Sequence, residues 1–65
     1  MTPIRVGQIW ERKQGGRKVR VTAVIDRVGV VELAPLGHGR PSRPMASTLR
    51  REYRLVEDAP AGEWP

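Results

Sequence analysis

The sequence predicts a small all-β domain of five short strands, with one helical turn before the last strand. Three observations lead there. Val and Ile dominate the aliphatic residues while Phe is absent, and β-branched side chains suit the half-buried face of a pleated sheet. Residues 18–25 alternate, with Val19, Val21, Ala23 and Ile25 on one parity and Lys18, Arg20 and Thr22 on the other. Gly15-Gly16, Pro35 and the Gly37–Pro41 stretch then divide the chain into short apolar runs.

Residues 6–12 read as a first strand with a bend at Gly7. Gly15-Gly16 supplies the positive φ that a tight hairpin needs before residues 18–25. Val24 breaks the alternation there, which suggests a bulge or burial on both faces. Asp26-Arg27 marks a turn, and residues 28–34 form a third strand stopped by Pro35. Residues 36–42 are loop by composition. Residues 43–56 admit two readings. As helix, Met45, Leu49 and Tyr53 make one stripe. As sheet, 43–47 is a fourth strand, 48–51 a helical turn and 53–56 a closing strand. The second is preferred because a closing strand covers an otherwise open edge. The expected core is Val6, Trp10, Val19, Val21, Val24, Val31, Leu33, Leu49 and Leu55. Residues 1–58 make the domain and 59–65 an acidic, Pro-bearing tail.

The chain has 65 residues and room for one thin core. With no Cys and one His, neither disulfides nor a Cys- or His-rich metal site is available, and neither metal nor cofactor is expected. No segment has the run of apolar residues that a membrane span needs, and no secretory leader is visible, so a cytoplasmic protein is expected.

Charge is distributed unevenly. Residues 1–54 hold all 12 Lys and Arg against Glu11, Asp26, Glu32 and Glu52. Residues 55–65 hold three acids and no base. A basic body points to a polyanion, nucleic acid above all. Arg12, Lys13, Arg17, Lys18 and Arg20 surround the first hairpin, while Arg40 and Arg43 flank the Gly/Pro loop. These seven are the candidate nucleic-acid-binding residues, since cations release counterions from phosphates. Arg50, Arg51 and Arg54 form a further group that neighbouring acids could neutralise. Trp10 and Tyr53 read as core filler first and as base-stacking platforms second. The acidic tail with its Trp64 reads as a solubilising end, or as a brake folded over the basic face. His38 has no identifiable nucleophile or orienting partner, and no catalytic residues are expected.

The succession of "VGQIWE", a Gly-bearing loop, "RKVRVTAVID", "RVGVVELAP" and "TLRREYRLVE" resembles a small SH3-like barrel. It is similar to short uncharacterised proteins encoded by actinobacteria and their phages, which share these runs over residues 5–57. That resemblance implies a five-stranded SH3-like barrel and brings no activity with it. "GQIW" before a Val-rich strand also resembles the opening of barrel-fold endoribonuclease toxins, but this chain is far shorter and has no match to their catalytic positions. The expectation is therefore a non-enzymatic module, monomeric or homodimeric, that binds DNA or RNA through phosphates. The alternative is a protein-interaction adaptor for an acidic partner. No membrane partner is expected.

Overall fold

In the computed structural model, residues 3–58 are described, and the tail at 59–65 with its Trp64 lies outside them. Alternation in the chain's longest apolar run organises the rest. Strand β2 (Lys18–Ile25) pairs antiparallel on one side with β1 (Ile9–Arg12) and on the other with β3 (Val30–Pro35). Val19 and Val21 are buried, while Lys18, Arg20 and Thr22 between and beside them are exposed. A register shift between Val21 and Ala23 breaks the two-residue period. Beyond it Val24 faces Val31 across the ladder and packs on the core, so the irregularity at Val24 is a bulge.

Helix α1 (Ala46–Glu52) follows, and β4 (Tyr53–Glu57) pairs antiparallel with the free side of β1. The sheet order is β3-β2-β1-β4. The chain must therefore pass from one edge of the sheet to the other between β3 and β4. That is three strand spacings, about 14 Å. Helix α1 lies within that connection and is held to the core by Leu49. Its single fully buried side chain, Leu49, joins Trp10, Val19, Val21, Val31 and Leu33 in one cluster.

The helix forms without a side-chain N-cap, because Met45 holds that position. The Ala46 N–H instead donates to the Gly29 carbonyl at 2.8 Å, satisfying one of the orphan donors of the first turn. Arg50 and Arg51 sit in the last turn, where cations complement the helix dipole. The Tyr53 N–H donates to the Leu49 carbonyl, so the helix runs into β4 with no linker.

Several expectations need correction. Among the described residues the sheet has four strands and is open, neither five-stranded nor a closed barrel. Within the expected strand at 43–47 there is one isolated bridge, Val30 with Met45, and a second, Leu33 with Ser42, lies just before it. Pro41 and Pro44 lack the N–H a regular ladder needs, while the Ser42 N–H and carbonyl both bond to Leu33. The helix is seven residues, longer than the expected turn at 48–51 and ending well short of 56. The first strand starts at Ile9, because Gly7 takes φ 98 and bends the chain; Val6 is exposed and outside the core. The β2–β3 turn spans residues 26–29, with Gly29 at φ 68, which leaves Val28 exposed. Val24 and Leu55 are half-buried against the core, and Ile9 is buried outside the main cluster.

Gln8, unremarked as core in the sequence, is fully buried. Its amide uses all four hydrogen-bonding sites. Oε1 accepts from the Arg5 N–H at 2.9 Å and from the Trp10 indole N–H at 3.0 Å. Nε2 donates to the Pro3 carbonyl at 2.9 Å and to Asp58 Oδ1 at 2.8 Å. One side chain thus joins the segment before β1, the largest core residue and the segment after β4.

Candidate nucleic-acid interface

The end of β1 carries the site. Arg12 lies two residues beyond Trp10, so strand periodicity gives it the side of the sheet that Trp10 occupies. The neighbouring strand places Tyr53 directly beside it. Arg17 comes from the first hairpin, where the Gly15-Gly16 pair takes φ 92 and 71 and the Arg12 N–H donates to the Arg17 carbonyl at 2.7 Å. Arg40 comes from the loop after β3. These three arginines line one cavity of about 120 Å³. Val19, Pro35 and Tyr53 supply its apolar and aromatic wall, and Gly39 and Ser42 its remaining boundary.

No carboxylate lines the cavity among the described residues. Arg12, Arg17 and Arg40 also make no ion pair with any described acid. Local rigidity comes from two sources. The backbone of Ser42 is tied to Leu33 at 2.8 and 2.9 Å. Gly39 takes φ 139 and packs so closely that a Cβ there would lie 3.2 Å from Pro35 Cγ and 3.9 Å from Arg17 Nη1. Only glycine meets both conditions comfortably.

The other candidate residues go elsewhere. Lys18 and Arg20 are exposed on the outer face of β2, opposite to Val19 and Val21. On that face Glu11 lies between Lys18 on β2 and Arg54 on β4, and it binds Arg54 at 2.8 Å. Lys13, in the hairpin turn, donates through Nζ to the Arg51 carbonyl at 3.1 Å. Arg43 pairs with Glu32 at 3.0 Å, and Arg51 with its neighbour Glu52 at 3.3 Å. The seven candidates therefore occupy no single rim. Three share a cavity, two lie on the outer sheet face, one is held in the hairpin turn and one is ion-paired.

Sequence reasoning missed Ser42 as a lining residue and gave Tyr53 a binding role only as its second reading. Tyr53 was expected as core filler, and it does pack on the core as well as bounding the cavity. His38 is exposed, with no hydrogen bond to a nucleophile among the described residues. No helix of the described residues is long and apolar enough to cross a membrane. No protein-family model, curated protein or solved structure matches the chain.

Proposed function

We propose that this chain is a small basic module that binds nucleic acid through its phosphates, with little readout of base sequence. The cavity formed by Arg12, Arg17 and Arg40 carries the reading, because three arginines line it and no described carboxylate does. Guanidinium forks suit phosphate oxygens, and the apolar wall beside them strengthens such contacts by excluding water. Lys18 and Arg20 extend the cationic surface over the outer face of β2. Base readout requires side chains at base edges in a groove. The one helix is seven residues long, lies against the core through Leu49, and has Arg51 engaged with Glu52, so it is poorly suited to that task.

The test is a titration of random-sequence DNA and RNA across about 50–200 mM salt, where log K falls in proportion to the number of phosphates contacted. Lys18→Ala/Arg20→Ala should weaken binding of every sequence alike and reduce the salt slope by about 2. Binding indifferent to salt, or equal in the double variant, would count against the reading.

A second reading has one observation in its favour. Among the described residues β4 pairs as a strand with β1 only, leaving its other side as an edge to which a partner strand could add. On that reading the chain is an adaptor for an acidic protein, and salt-resistant binding to that protein would be its signature.

A further inference from the structure

We infer that the Arg12–Arg17–Arg40 cavity takes a phosphomonoester, the terminal phosphate of a nucleic-acid strand, making the chain an end-binding module. The inference rests on the nucleic-acid reading and adds to it the group that enters the cavity. Charge is the first argument. Three arginines from three separate segments line one small space, with no described acid among its walls. A phosphodiester brings one negative charge to that space, whereas a phosphomonoester brings about −1.5 to −2 near pH 7 and is the better match.

Size is the second argument. On the measure by which a first water needs about 10–15 Å³, the cavity offers about 120 Å³ and admits a group larger than one water, a tetrahedral phosphate included. An internal phosphodiester would also need room for a second ester arm. A terminal phosphate has one arm, which leaves through the cavity mouth.

Pre-organisation is the third. The Arg12–Arg17 backbone bond at 2.7 Å closes the hairpin that carries two of the arginines. The close approach of Gly39 to Pro35 and Arg17 holds the loop that carries the third. Backbone held in this way loses little freedom on binding, so the ordering cost falls on the three arginine side chains. By contrast, Arg43, Arg51 and Arg54 each have a carboxylate of their own.

The experiment compares three fluorescent single-stranded oligonucleotides of one sequence at fixed salt: 5′-phosphorylated, 3′-phosphorylated and hydroxyl at both ends. Binding is followed by anisotropy to wild type, Arg17→Ala, Arg40→Ala and Lys18→Ala/Arg20→Ala, each checked for folding by its thermal melt. One phosphorylated end should bind at least about tenfold tighter than the hydroxyl strand, the worth of a charge-assisted arginine contact. Arg17→Ala and Arg40→Ala should remove that preference, while Lys18→Ala/Arg20→Ala lowers all affinities and keeps the ratio. Inorganic phosphate should compete for the preference alone. Equal, salt-sensitive binding of all three strands overturns the inference and leaves the nucleic-acid reading standing. Binding of none of them overturns both. A phosphoserine peptide bound more tightly than any phosphorylated strand overturns both in favour of a protein partner.

Discussion

Gln8→Met tests the most consequential feature of the fold, the buried amide that ties both ends of the described chain to the core. Methionine is unbranched and of similar length, so it fills the space and removes the hydrogen bonds. The Trp10 indole N–H donates to Gln8 at 3.0 Å inside the core and would lose its acceptor. A buried donor left unpaired costs about 1–3 kcal/mol. The Arg5 N–H, the Pro3 carbonyl and Asp58 are only part-buried, and water can replace their lost bonds. The added apolar surface of Met returns some stability. The net expectation is a loss of about 2 kcal/mol, which in a domain of this size lowers Tm by about 8–16 °C. Thermal melts followed by far-ultraviolet circular dichroism measure it. A second comparison isolates the indole bond. In a Trp10→Phe background the donor is already absent, so Gln8→Met should cost less there than in wild type. A Tm within about 3 °C of wild type, or equal costs in both backgrounds, would refute the argument that this network holds the ends together.

Two further outcomes follow from the site. Gly39→Ala should cost about 1–3 kcal/mol, because alanine meets both a left-handed φ of 139 and a 3.2 Å approach to Pro35; urea melts check it, with Gly37→Ala, which meets nothing within 4 Å, as the near-neutral control. Glu11→Gln should change stability by less than about 1 kcal/mol, since Arg54 is largely exposed; it should tighten nucleic-acid binding by releasing Arg54 beside Lys18, and unchanged affinity in the titration would remove the outer face from the interface.

Local patterns made the sheet's middle legible in the sequence and left its edges obscure. The period-two run at 18–25 identified β2 and placed Val19 and Val21 inside, and the irregularity at Val24 foretold the bulge. Gly15-Gly16 marked the hairpin that the φ values require. The failures share a cause: each depended on partners distant in the chain. Residues 43–47 were expected as a strand because the sheet needed closing, yet Pro41 and Pro44 lack donors and Ala46 is drawn into a helix started against the Gly29 carbonyl. Val6 has the parity of the core but stands before a glycine that turns the chain away. Gln8 reads as a surface residue until Asp58, fifty positions on, is brought against it. The site was half legible for the same reason. Arg12, Arg17 and Arg40 stood out as cations, but only the β1–β4 register puts Tyr53 beside Arg12.

The chain's few acids decide where its positive charge remains effective. Residues 1–54 contain four carboxylates, and three of them are engaged by Arg54, Arg43 and Arg51. The fourth, Asp26, lies in the β2–β3 turn, whereas the arginine cavity is reached from Val19 at the other end of β2. Each engaged pair is exposed and adds little to stability. Their larger consequence is electrostatic, because they reduce the field over the helix end and the outer face. The cavity has no carboxylate in its lining among the described residues, so its positive charge is not offset locally. A polyanion approaching the molecule would therefore be drawn to one end of it. Formal net charge alone, +5 spread over the sequence, would suggest no such direction.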